Sequence, residues 1–211
     1  MSWWKALVGR APRPVPASVE EIRQSFETGA HDEEHFPSTI DPRIYHVKLV
    51  VEHLGAVHSA LDVGAGKGRF ARVLKEHNPA AQVVCFDLAL EMLRRVDPNL
   101  DTCAGSMTAL PFATGVFDGV YATESLEHAV DIEAAVAEMC RVLVPGGRLL
   151  IIDKNAEHWG KLKTPAWERW FHRSELEKLL GRHCQHVESR FISYWEDVEP
   201  DGMFLAWLAV K

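Results

Sequence analysis

The sequence predicts an α/β protein built on a mostly parallel sheet, and three observations carry that prediction. Between residues 58 and 153, short apolar runs alternate with segments whose apolar residues recur at helical spacing. Strand–helix–strand repeats of this kind close as right-handed crossovers on a parallel sheet. The first apolar run, Ala60, Leu61 and Val63, meets alternate glycines Gly64, Gly66 and Gly68 before Phe70, Ala71, Val73 and Leu74 begin a helix. Near the end of the chain, two apolar runs (about 186–195 and 203–210) follow one another with no helix between them. Such a pair must run antiparallel or sit apart, and Glu199-Pro200-Asp201-Gly202 is turn chemistry for a hairpin.

The elements follow in order. Pro12, Pro14 and Pro16 exclude a regular helix from the first residues. Ser18-Val-Glu-Glu21 is a capping box, which starts a short helix. Residues 28–42 read as loop. Their acid–histidine cluster (His31, Asp32, Glu33, Glu34, His35) has the spacing of no closed metal motif. A helix is expected from about Asp41 to Leu54, stopped by Gly55, and another from Gly68 to Glu76. A strand through Ala81–Phe86 ends at Asp87, and a helix over Ala89–Val96 closes before Asp97-Pro98. Strands follow at 102–104 and 116–123, then a helix at Ile132–Leu143. Pro145-Gly146-Gly147 is a turn into the strand Arg148–Asp153, and a helix runs near Arg173–Leu180. Residues 1–40 form an N-terminal tail and cap segment, and 41–211 the main domain.

Composition bounds the partners. A net charge of −7 argues against a nucleic-acid surface, which needs a basic face. Cys85, Cys103, Cys140 and Cys184 are scattered without a Cys-x-x-Cys pair, as expected of reduced thiols in a cytoplasmic protein. No apolar run reaches the ~20 residues of a membrane span. Trp3 and Trp4 leave membrane association open as an alternative, against a tail that packs on its own domain or frays.

The glycine turn carries the chemistry. Glycine permits positive φ and lets a ligand approach without meeting a Cβ, and the helix that follows offers free N–H groups. Asp87, 19 residues after Gly68, is placed to accept hydrogen bonds from ribose hydroxyls. Turn and acid together point to an adenosine-type cofactor. A nicotinamide fingerprint is Gly-x-Gly-x-x-Gly, whereas the spacing here is Gly64-x-Gly66-x-Gly68.

Four motifs in order, Leu61–Gly68 with Asp87, Gly105–Phe112, Phe117–His128 and Leu143–Leu149, resemble those of class I S-adenosylmethionine-dependent methyltransferases. Within that class the chain is similar to the small-molecule branch that includes ubiquinone- and menaquinone-pathway enzymes. The resemblance implies a Rossmann-like, seven-stranded, mostly parallel sheet with helices on both faces and an antiparallel last strand. It implies S-adenosyl-L-methionine as cofactor, with Gly64, Ala65 and Gly66 passing the methionine moiety. Asp62 would hold its ammonium, Asp87 the ribose diol, and Leu88 would pack on the adenine. Ser106 and Met107 stand where the family contacts the adenine edge; Ser106 departs from the commoner Asp. Glu124 belongs to the junction between cofactor and acceptor.

His128 is the candidate general base, since it follows the fourth strand on the face where such sheets gather their active-site loops; the other role open to it is to orient the next helix. Glu124, Glu127 and His128 resemble the carboxylate–carboxylate–histidine site of some metal-dependent members, but a fuller ligand set is not visible and no metal is expected. On the acceptor side stand His158, Trp159, Lys161 and Lys163, in a stretch (154–186) with seven Lys or Arg against four Asp or Glu. An anionic or aromatic small-molecule acceptor is therefore expected. His31, His35, Arg43 and Tyr45 close the site from the N-terminal side. The expected activity is methyl transfer to O, N or C of that acceptor. The alternatives are a non-catalytic cofactor-binding subunit and a membrane-associated lipid- or quinone-pathway methyltransferase.

Overall fold

A computed structural model describes residues 14–211. Trp3, Trp4 and Pro12 lie outside the described residues, and with them the tail on which the membrane-association alternative rested. Seven strands form one sheet in the order β3-β2-β1-β4-β5-β7-β6. These are β1 (Ser59–Val63), β2 (Gln82–Asp87), β3 (Asp101–Ala104), β4 (Phe117–Thr123), β5 (Leu143–Lys154), β6 (His186–Ile192) and β7 (Phe204–Val210). The first five pair in parallel, while β7 runs antiparallel to both β5 and β6.

Alternation along the central strands sends successive side chains to opposite layers, so both faces must be apolar. Leu149 and Ile151 face a core shared with α5 (Ile132–Val142) and α6 (Arg173–Leu180). Leu150 and Ile152 face a second core, against α2 (Tyr45–Leu54) and α3 (Arg69–His77). Trp207 is fully buried and its indole N–H donates to the Arg173 carbonyl, tying β7 to α6. Among the described residues, no helix is long and apolar enough to cross a membrane.

Three boundaries differ from expectation. The helix over 41–54 begins only at Tyr45, because Asp41 accepts from the Arg43 N–H and Ile44 bridges to Trp195. The helix over 89–96 is confined to α4 (Leu90–Leu93); the chain tightens through Arg95 N–H to Met92 and Val96 N–H to Leu93 before Asp97-Pro98. Pro145-Gly146-Gly147 does not precede β5 but lies within it, as an irregularity between the pairs Phe117–Leu143 and Gly119–Arg148. Gly146, at φ 79°, makes that detour, and hydrogen bonds with Lys211 close it.

The sheet order reverses direction between β1 and β4. A crevice beyond the carboxyl ends of parallel strands, at such a switch point, is where open α/β sheets bind ligands. Helix α1 (Val19–Gly29) and the loop to residue 38 fold back over this edge. The expected capping box holds: Ser18 accepts from Glu21 N–H, and the Glu21 carboxylate accepts from Ser18 N–H.

Candidate functional site

A cavity of about 310 Å³ opens at this edge, lined by the glycine turn, the ends of β2 and β4, and the N-terminal segment. Gly64 and Ala65 donate their N–H groups to the Phe86 carbonyl, which ties the turn to β2. Gly64, Gly66 and Gly68 all have positive φ. A Cβ on Gly64 would lie 2.4 Å from Ser125 Cβ, whereas one on Gly66 would meet nothing within 4 Å, so Gly66 faces open space. That space is the cradle that a backbone-hugging ligand requires.

Asp87 ends β2 at the cavity wall. Its Oδ2 accepts from Gly66 N–H (2.7 Å) and its Oδ1 from Ala89 N–H (2.8 Å). Burial raises its pKa and these backbone donors oppose the rise. Each oxygen keeps lone-pair capacity for a further donor, as a ribose diol would supply. Leu88, Met92, Gly105 and Met107 continue the wall. Ser106 does not: its hydroxyl pairs with Thr108 (2.8 Å) in a local turn. Asp62 also lies off the cavity. It is buried behind the turn with both carboxylate oxygens unpartnered, and burial lifts its pKa to about 7. A carboxyl in that position is a poor counter-ion for a ligand ammonium.

Across the cavity stands a buried cluster. Lys154, at the end of β5, contacts the Glu127 carboxylate and lies 3.7 Å from Glu168 Oε2. Burial opposes its charge, but Glu127, Asp153 and Glu168 outweigh that and raise its pKa. Burial and the Asp153 charge push Glu127 up in turn. Asp153 sits beneath, accepting from Lys154 N–H (2.8 Å) and Glu127 N–H (3.1 Å).

His128 joins the cluster from a 3₁₀ turn, Leu126–His128. The Trp167 indole N–H donates to its Nδ1 (3.3 Å), which assigns the ring proton to Nε2. Nε2 lies 3.6 Å from Glu127 Oε1 and 4.0 Å from Glu168 Oε1. Burial and the Lys154 charge hold the imidazole neutral, with a pKa near 3. A base needs a free lone pair, and the one lone pair of this tautomer is engaged by Trp167. In this arrangement His128 is placed to donate a hydrogen bond through Nε2 rather than to take a proton. Glu127, His128 and Glu168 could bring ligand atoms within 4.8 Å of one another. In this chain the cation among them is the Lys154 ammonium, and Glu124 is not part of the group.

The expected acceptor residues stand elsewhere. His158 bonds to Lys161 (3.1 Å), Trp159 packs edge-on against Trp170, and Lys161 and Lys163 are exposed; none lines the cavity. The cavity is lined on that side by Ile22, Phe26, Phe36 and Pro37 from the N-terminal segment, with Lys154 and Glu168. Phe26 meets the His128 ring edge-on, at 4.9 Å between centroids. Of the four residues expected to close the site from that side, His35 lines it and His31, Arg43 and Tyr45 do not. The segment is anchored by Glu33 to the otherwise buried Lys67 ammonium (2.6 Å) and by Glu27 to the N–H groups of Leu90 and Glu91. Glu168, Phe26 and Phe36 escaped the sequence analysis because loops and a short amphipathic helix carry no local signal of what they face. Arg69 also lines the cavity, and its place directly after the glycine turn was the available clue.

The open cradle at Gly66, the anchored carboxylate of Asp87 and the apolar wall at Leu88 and Met107 fit S-adenosylmethionine. Sheet, switch-point cavity and these residues together resemble a class I S-adenosylmethionine-dependent methyltransferase domain. Residues 61–151 match the family model described as a methyltransferase domain. The chain is 37% identical over 122 residues to a demethylmenaquinone methyltransferase of Renibacterium salmoninarum, covering 56% of this chain and 51% of that one. It is 33% identical over 135 residues to a malonyl-[acyl-carrier protein] O-methyltransferase of Geobacter sulfurreducens, covering 60% and 50%. The chain spans about half the length of the curated relatives it matches. In fold it is similar to the Burkholderia thailandensis 1,6-didemethyltoxoflavin-N1-methyltransferase, solved with its acceptor and S-adenosylhomocysteine. The TM-score is 0.70 at 23% identity, covering 95% of this chain and 92% of that one.

Proposed function

We propose that the protein transfers a methyl group from S-adenosylmethionine to an O, N or C atom of a small aromatic acceptor. The observation that carries this is the coupling of Asp87 to Gly66: one carboxylate both shapes the glycine cradle and faces the cavity. Asp87 would take the ribose hydroxyls, Leu88 and Met107 the adenine, and Gly64, Ala65 and Gly66 the methionine chain. The bound sulfonium supplies an electrophilic methyl group. The protein's part is then to hold a nucleophile in line with it at near-attack distance and to exclude water. Phe26, Phe36 and Pro37 would cover the acceptor, and the Glu127–His128–Glu168 wall would orient it. The lysine that reaches the cavity is Lys154, and Glu127 and Glu168 already match its charge, which favours an uncharged ring over an anion. Four free thiols, with Cys140 and Cys184 unbridged at 3.8 Å between sulfurs, support the cytoplasmic setting.

The test is a screen of metabolite extracts with methyl-labelled cofactor, alongside calorimetry with S-adenosylhomocysteine. Label in an aromatic product is expected. Tight cofactor binding with no labelled product would favour a non-catalytic cofactor-binding subunit, and no binding would overturn the assignment.

A further inference from the structure

Arg69, the first residue of α3, and Glu124, just past β4, line the cavity on either side of the glycine turn. Arg69 Nη2 lies 3.7 Å from Glu124 Oε1, near enough for mutual attraction and too far for a direct hydrogen bond. Both groups therefore keep hydrogen-bonding capacity for something between or beside them. Glu124 Oε1 is buried toward His46 and Arg69, which leaves the second carboxylate oxygen for the cavity that Glu124 lines.

The backbone at Glu124 points the same way. At φ 51° it is the only non-glycine residue with positive φ among the described residues, held there by its N–H bond to the Ile152 carbonyl (2.7 Å). Strain of this kind persists where surrounding structure over-determines it and clusters at binding sites. Burial works against the Glu124 charge, but His46, whose Nδ1 stands 3.3 Å from Oε1, together with Arg69 and Lys154, holds the carboxyl ionised with a pKa of about 2. A fixed anion thus stands beside a guanidinium, next to the open space over Gly66. Such a pair matches an amino-acid zwitterion: guanidinium for carboxylate, carboxylate for ammonium.

We propose that Arg69 and Glu124 form a clamp for the amino-acid end of the cofactor, Arg69 taking the α-carboxylate and Glu124 the α-ammonium. The proposal rests on the S-adenosylmethionine assignment above and transfers to Glu124 the role expected of Asp62, which the cavity does not reach.

Two ligands separate the clamp from the cofactor site at large. S-adenosylhomocysteine carries the amino-acid end, whereas 5′-methylthioadenosine has the same adenosine and sulfur without it. By calorimetry, Arg69→Met should weaken S-adenosylhomocysteine about tenfold or more, the scale of one charge-assisted hydrogen bond, and leave methylthioadenosine within about twofold. Arg69→Lys should recover part of the loss, and Glu124→Gln should show the same selectivity. Unchanged homocysteine-ligand affinity in Arg69→Met, or equal loss of both ligands, would overturn the clamp. So would equal affinity of the unaltered protein for the two ligands, while leaving the cofactor assignment standing. If the unaltered protein binds neither, assignment and clamp fall together.

Discussion

The indole N–H of Trp167 donates to Nδ1 of His128 at 3.3 Å, and this one contact decides which imidazole nitrogen carries the proton. With Nδ1 engaged, Nε2–H is left to face the carboxylates of Glu127 and Glu168, and the ring works as a donor that orients rather than a base that accepts.

A pH series on His128→Asn tests this. The imidazole stays neutral down to about pH 3, so the rate–pH profiles of the unaltered protein and the variant should share one shape, with the variant lower throughout. Loss of an inflection near pH 6.5 in the variant would restore the base. Stability carries the opposite linkage to an ordinary histidine. A folded-state pKa depressed below 6.5 contributes stability above that pH and loses it as pH falls toward 3. Thermal melts between pH 7 and pH 4 should therefore fall more steeply for the unaltered protein than for His128→Asn.

Asp87→Ala removes the acceptor of the Gly66 N–H and the group proposed to take the ribose. Affinity for S-adenosylhomocysteine should drop at least about tenfold, since a hydrogen bond to a charged group contributes about 1.5–3 kcal/mol. Unchanged calorimetric affinity would remove Asp87 from the ribose site.

Lys154→Met leaves Glu127 and Glu168 without their shared cation. Breaking a buried pair strands charge, so a loss of about 3–5 kcal/mol in denaturant unfolding is expected. Lys154→Met combined with Glu127→Gln should regain much of it, because less charge is then left unmatched.

Asp62 has a folded-state pKa of about 7 against 3.8 for the free side chain. A raised acid favours its protonated form in the fold, so its contribution is intact below about pH 4 and is lost as pH rises through 7. Asp62→Asn should flatten that part of the stability profile and raise the melting temperature at pH 8, by the equivalent of up to about 4 kcal/mol. A variant that melts lower at pH 8 would show that the carboxylate form is the one the fold uses.

Much of the fold was legible in the chain itself. Alternating apolar runs and helical spacing located every strand and most helices, because the period of side-chain direction is a property of neighbouring residues. The glycine turn, Asp87 and the Ser18–Glu21 capping box were readable for the same reason: each is a short-range arrangement whose backbone demands particular residues. Two of the misjudged boundaries, at Tyr45 and Leu143, are those where a contact from a distant segment ended or extended an element. The Ile44–Trp195 bridge and the Lys211 hydrogen bonds are two such contacts.

The cofactor half of the cavity is likewise a product of local sequence, and the residues that line it follow one another along the ends of β1, β2 and β4. Its other half was decided only by folding. Phe26, Lys154 and Glu168 come together from three separate segments, and Asp62 turns away although Gly64 and Ala65 line the cavity. No periodicity links such residues. Their meeting depends on how α1 and the loop after β5 pack over the sheet edge, and packing between distant segments is a property of the whole chain rather than of any stretch of it.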